Sequence, residues 1–152
     1  MALRINSNAK ATQTVKVLLA TAFLFSGCYI YLVFRTRTLN LYHWCDMIGL
    51  SKCIESARFA ARDWCVPEFV KFSLPDGLYS AAYILMIDAI WYKDDGLLKN
   101  CIIGIIPLFT ILSEILQYFG LVKGTFDLMD LICYATPLLI YIKVNIFHKL
   151  NL

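Results

Sequence analysis

The 23 residues Asn100–Val122, NCIIGIIPLFTILSEILQYFGLV, lie between Lys99 and Lys123 and carry one charge, Glu114. A helix needs roughly 20 predominantly apolar residues to cross the hydrocarbon core of a bilayer, so this stretch is long enough to span one. Working outward, Val17–Phe34 gives 18 uncharged residues between Lys16 and Arg35. Between Asp76 and Lys93 lie 16 residues interrupted only by Asp88, which reads as a short or tilted span. A last apolar run, Leu131–Ile142, sits in a segment with Asp130 and Lys143 near its ends. The pattern predicts an all-α, polytopic membrane protein forming a single membrane domain over 1–152. Its four transmembrane helices fall at about 17–34, 77–92, 98–120 and 127–147. Trp91, Tyr92, Tyr118 and Tyr141 lie near the predicted span ends, as an interfacial aromatic belt does.

Composition agrees. The chain has 152 residues, of which 60% are hydrophobic and 16% charged. Soluble domains carry about 45–50% apolar and about 25% charged residues. A small globule buries only about two-thirds of its chain surface, so the apolar excess must face lipid. A soluble enzyme and a disordered regulator are excluded on this ground. The net charge of +3 is too small and too scattered for a nucleic-acid partner. No P-loop, dinucleotide fingerprint, Cys-His or Ser-His pairing occurs, so no cofactor and no standard catalytic site is expected. His43 and His148 stand alone, without a second ligand at metal spacing.

The connection 35–76 is more than a linker. Within Ser51–Cys65, Cys53, Ile54, Ala57, Ala60, Ala61 and Trp64 fall on one helical face, with Lys52, Glu55, Ser56, Arg58, Arg62 and Asp63 on the other. Ser51 is placed to cap this helix, Pro67 follows its end, and Leu41–Ile48 forms a preceding helix stopped by Gly49. Together they predict an amphipathic hairpin on the membrane surface or over the bundle. Of the six cysteines, Cys28, Cys101 and Cys133 fall in spans. Cys53 and Cys65, about 18 Å apart along one helix, are too distant to bridge, whereas Cys45 could reach one of them outside the cytoplasm.

The first apolar run is read as a retained helix rather than an export signal. Phe25-Ser26-Gly27-Cys28 looks like a lipoprotein cleavage box, but the run continues through Tyr29–Phe34, beyond the roughly 7–15 residues of a signal peptide. Lys and Arg divide seven against seven between the two sides, so the positive-inside rule leaves orientation open. A cytoplasmic N-terminus is the working assignment.

Thr110, Ser113, Glu114 and Gln117 stand at i, i+3, i+4 and i+7, a polar stripe on an apolar helix. A carboxylate in mid-span costs at least about 2.5 kcal/mol, so it faces protein or a wet cavity and marks a candidate site. The structural alternative is that Glu114 and Gln117 hydrogen-bond to neighbouring helices and hold the bundle together. Beyond the turn Gly120–Gly124, Asp127 and Asp130 open the fourth helix on one face. Helix capping explains carboxylates there. An antiparallel hairpin nevertheless brings both pairs to one depth, predicting a pocket of Glu114, Gln117, Asp127 and Asp130.

The run E-x-x-Q, a glycine-bearing turn and T-F-D-x-x-D, here Glu114, Gln117, Thr125, Phe126, Asp127 and Asp130, resembles the C-terminal signature of the VanZ-like family. These are small bacterial multi-helix membrane proteins named for teicoplanin resistance. The resemblance covers about residues 74–142 and adds Asp76 and Tyr83 as matching positions. Gly124 replaces the family's Arg before the aspartates, Tyr134 replaces its Asn, and a glycine is missing near Pro137. The resemblance implies a bacterial inner-membrane location and an envelope role: recognition or protection of a lipid or glycolipid headgroup by Glu114, Gln117, Asp127, Asp130, Thr125, Asp76 and Tyr83. Two other readings are open. Gly104 and Pro107 leave a groove for a membrane-protein partner, and the acidic residues could ring a homo-oligomeric cation pore. A membrane enzyme ranks lowest, because no nucleophile accompanies the carboxylates. Asp88 is read as snorkelling or pairing with Lys93 at the interface.

Overall fold

The computed structural model describes residues 2–37, 40–92 and 96–150. Among these residues seven helices follow in order: α1 (Ala2–Phe34), α2 (Asn40–Met47), α3 (Ser51–Ala60), α4 (Glu68–Phe72), α5 (Leu74–Ile90), α6 (Leu97–Tyr118) and α7 (Leu128–Leu150). Among the described residues there is no strand. Three helices are long and apolar enough to cross a membrane: α1 over Lys10–Phe34, α6, and α7 over Leu128–Phe147. Their outer faces expose Leu18, Phe25, Ile105, Phe109, Leu139 and Val144, the surface expected of helices bathed in lipid.

The predicted second crossing forms α5, whose 17 residues extend roughly 25 Å. It is the hub of the bundle, packed against α1, α6 and α7. Small residues permit that packing. A Cβ on Gly77 would lie 3.0 Å from the Cys133 carbonyl oxygen of α7, and one on Gly27 of α1 would lie 3.0 Å from the Tyr79 ring of α5. Without a hydrophobic effect between helices in lipid, such close contact supplies much of their attraction. The three long helices run antiparallel to the α5 hub or to one another. Gln13 Nε2 donates to the Ala89 carbonyl at 2.9 Å, tying the N-terminal half of α1 to the end of α5. The Tyr83 hydroxyl donates to the Ile102 carbonyl at 2.6 Å, tying α5 to the start of α6.

The bundle therefore has two ends. One gathers the N-terminal half of α1, the end of α5, the start of α6 and the end of α7. The other gathers α2–α4 with the opposite helix ends. Glycine shapes two turns at this second end. Gly49 (φ 77°) and Gly120 (φ 69°) adopt the left-handed conformation that closes α2 and α6. Each turn is held by paired backbone bonds, Gly120 N to Gln117 O and Leu121 N to Leu116 O, both 2.9 Å, in the second case.

The hairpin exists, but with a different inner face. Arg58, assigned to the polar side, points inward, where its Nη1 donates to the carbonyls of Leu32 (2.9 Å) and Arg35 (2.8 Å) and to the Tyr42 hydroxyl (2.7 Å). Cys53, Ala60 and Trp64, assigned to the apolar side, are exposed. The open carbonyls at the end of α1 need donors, and one guanidinium satisfies two of them. Burial pushes the Tyr42 phenol above its ordinary pKa, while Arg58 beside it acts in the opposite sense. Leu50, not Ser51, occupies the cap position of α3, and the Ser51 hydroxyl reaches back to Asp46 at 2.5 Å. The short helix α4 was not foreseen. The six cysteines are unbridged.

Candidate functional site

The two ends of the bundle hold its buried charge in opposite ways. At the first end Asp88 is 8% exposed and Lys99 3%. Asp88 Oδ2 meets Lys16 Nζ at 2.5 Å and Oδ1 meets Lys99 Nζ at 2.7 Å. Lys16 also lies over the Tyr92 ring, 5.3 Å from its centroid. The expected pairing with Lys93 lies outside the described residues; among them Asp88 is not a snorkelling side chain but a buried counter-ion shared by α1 and α6. A carboxylate removed from water needs such partners at both oxygens.

At the second end the polar stripe of α6 meets the start of α7. Glu114 is 7% exposed and its Oε2 accepts the Asp127 backbone N–H at 3.3 Å. It faces protein, not hydrocarbon. Asp130 stands close enough to both Glu114 and Asp76 to interact electrostatically, and Arg35 from the end of α1 faces Asp76. The Tyr134 phenol lies beside the Asp76 carboxylate. Three carboxylates from α5, α6 and α7, one phenol and one guanidinium thus share one niche beside the hairpin.

Not every expected residue joins it. Asp127 is exposed, and its Oδ1 accepts the Met129 N–H at 2.8 Å, an N-cap of α7. Gln117 packs on the backbone at Gly124 (φ 148°), where a Cβ would lie 2.6 Å from the Gln117 side chain. That contact accounts sterically for glycine at this position. Thr125 is exposed in the loop before α7. Tyr83 is committed to the Ile102 carbonyl, about two helical turns from Asp76, and is removed from the pocket. Thr110 of the stripe bonds only its own helix, to the Pro107 carbonyl at 2.9 Å.

Two members of the niche were missed. Tyr134 stood out only as a departure from a motif, although its position four residues after Asp130 places both on one face of α7. Arg35 ended a span and was read as a flanking charge. Around Asp76 the hydrogen bonding is incomplete. Four buried side-chain atoms have no partner among the described residues: Arg35 Nε, Ser73 Oγ, Ser80 Oγ and Asp130 Oδ1. Ser73 and Ser80 lie three residues before and four after Asp76 on the chain, and Arg35 and Asp130 are its electrostatic neighbours. Buried polar atoms are satisfied in the great majority of cases, so these four mark the surroundings of Asp76 as a candidate site. Among the described residues no group of three or more His, Cys, Asp or Glu is arranged to hold a metal ion. Compared with known proteins, the chain matches no family model, no curated protein and no solved structure.

Proposed function

We propose that this chain is a four-span protein of the VanZ-like type in a bacterial inner membrane, with its N-terminus in the cytoplasm. Asp76, Glu114, Asp130, Tyr134 and Arg35 then face the envelope side and recognise or shield the polar headgroup of an envelope lipid or glycolipid. The grouping of four unpartnered buried polar atoms around Asp76 carries this reading. Its chemistry suits such a ligand. Carboxylates accept hydrogen bonds from sugar hydroxyls or an ammonium group, and a guanidinium pairs with phosphate. The exposed aromatic side chains of the hairpin, Trp44, Phe59 and Trp64, suit the headgroup layer above the niche. In this orientation α5 is the second crossing, its short length sheltered by the three helices around it.

Expression in a teicoplanin-sensitive bacterium tests the proposal. The wild-type chain raises the inhibitory concentration, and Glu114→Gln abolishes the rise without lowering membrane abundance. An active Glu114→Gln chain removes the niche from the function. Sidedness is read separately, because Cys53 and Cys65 are exposed on the hairpin. A membrane-impermeant maleimide labels them in intact cells if the niche faces outward, and failure to label overturns an envelope role.

A further inference from the structure

A second feature lies at the opposite end of the bundle and is independent of the acidic niche. Between α6 and α7 runs a cavity of about 360 Å³. Its α6 wall is Asn100, Ile103, Gly104 and Leu108, and its α7 wall includes Leu138, Ile142 and Asn145. Because the helices are antiparallel, Leu108 stands level with Leu138, and Asn100 with Asn145. The slot is therefore graded along its length. It is apolar toward the middle of the bundle and amide-lined at the lysine end, over about 12 Å from Leu108 to Asn100. Gly104 supplies the space, since it has no side chain to fill the gap and its missing Cβ would meet only Leu108.

The charge beside the amide end is positive. Lys10, Lys16, Lys99 and Lys143 belong to this half of the bundle, with Asp88 as their counter-charge among the described side chains. In sequence, residues 93–95 add one lysine and two aspartates, which leaves lysine in excess. The opposite end carries eight acidic residues against seven basic ones. An apolar slot that opens onto amides and excess lysine matches one molecule of the bilayer: an acyl chain joined to an anionic head.

We propose that the α6–α7 slot is a lipid site, holding one acyl chain of an anionic phospholipid with its phosphate at Asn100 and Asn145. The apolar wall takes the chain in place of bulk lipid; Asn145 Nδ2 gives one N–H to the Tyr141 carbonyl at 3.0 Å, and its second N–H and the Asn100 amide donate to the phosphate oxygens. Lys16 and Lys99 are held by Asp88, and the positive charge that remains at this end of the bundle favours phosphatidylglycerol over a zwitterionic lipid of the same chain length. A second copy of this chain is disfavoured as occupant, because a helix is too wide for a gap opened by one glycine.

The full chain in nanodiscs of phosphatidylcholine, with and without phosphatidylglycerol, provides the test. After delipidation in mild detergent, mass spectrometry of solvent extracts identifies what the protein retains. Wild-type protein retains phosphatidylglycerol in excess of its share of the disc and unfolds at a higher temperature in discs that contain it. Gly104→Leu fills the slot and loses both effects while keeping its helix content. Leu138→Phe fills it from the other wall, should Gly104→Leu fail to fold. Asn145→Asp keeps the slot but abolishes the preference for the anionic lipid by placing a carboxylate at the phosphate. Equal retention of the two lipids by wild-type protein overturns the proposal, as does full retention by a folded slot-filled variant. A cross-linked dimer that Gly104→Leu dissolves assigns the slot to a second copy and also overturns it. Glu114→Gln leaves retention unchanged, so failure of the acidic niche and failure of this site are separate results.

Discussion

The lysine end and the acidic end each take charge into a helical bundle, and they treat it differently. Around Asp88 both carboxylate oxygens have a lysine, at 2.5 and 2.7 Å, and the group joins three helices. Around Asp76 the charges are mostly alike: Glu114 and Asp130 face it, with Arg35 as the opposing cation. Three carboxylates cannot all be neutralised by one guanidinium, and buried Asp130 Oδ1 and Arg35 Nε lack partners. Charge matched by countercharge is architecture, whereas charge left short of partners is held in place by the rest of the fold. The lysine end thus pairs its buried carboxylate at both oxygens, whereas the acidic end leaves buried polar atoms short of partners.

The largest expected effect lies at the matched end. Asp88→Ala leaves Lys16 and Lys99 facing each other without a counter-ion. Breaking a buried pair from one side costs about 3–5 kcal/mol, and about 3 is expected here because Lys16 can turn toward the interface while Lys99 cannot. Thermal unfolding in detergent, followed by circular dichroism, measures the loss. Replacing all three groups together (Lys16→Met, Asp88→Leu, Lys99→Met) restores most of it, since apolar substitutes carry no desolvation cost. If the triple variant is as unstable as Asp88→Ala, the triad does more than balance charge and the contrast between the ends weakens.

Much of this was legible in the sequence, and the reason differs by element. The helices α1, α6 and α7 announce themselves because a long uncharged window has few alternatives to a membrane helix. The Glu114–Asp130 convergence was legible because a short glycine-bearing turn forces neighbouring helices antiparallel. Pairings between distant segments were not. Asp88 finds Lys16 72 residues away, and nothing local distinguishes that partner from Lys93. Arg58 was misplaced because helical periodicity sorts residues into polar and apolar faces, whereas its inner position is set by the open carbonyls of α1. Tyr83 and Thr125 entered the pocket by resemblance to a motif. A motif fixes order along the chain, not depth in the bundle.

A middle-sized effect separates two neighbouring aspartates. Asp127 caps α7 through the Met129 N–H, and removing an N-cap side chain costs about 1 kcal/mol. Asp127→Ala should lower stability by that amount and leave the proposed teicoplanin phenotype intact, measured on membranes adjusted to equal abundance. Loss of the phenotype in a stably inserted Asp127→Ala chain would return Asp127 to the niche.

The smallest stability effect belongs to Asp130→Asn, where the size itself is informative. Asp130 is the third residue of α7, where a carboxylate gains about 0.3–1 kcal/mol from the helix dipole. It also faces Asp76 and Glu114, so the same charge is repelled by its neighbours. Asparagine keeps the shape and gives up both contributions, which oppose each other and are of similar size. A net change within about 0.5 kcal/mol follows, as for substitutions away from packed features. Were Asp130 only a helix-start residue, the variant would lose the dipole contribution and keep its activity. Were it a ligand-facing residue, the variant would hold its stability and lose the phenotype, because an amide cannot supply the anionic acceptor that Asp130 Oδ1 presents. Measuring both quantities on the same preparation decides between the two, and the second pairing is the one expected.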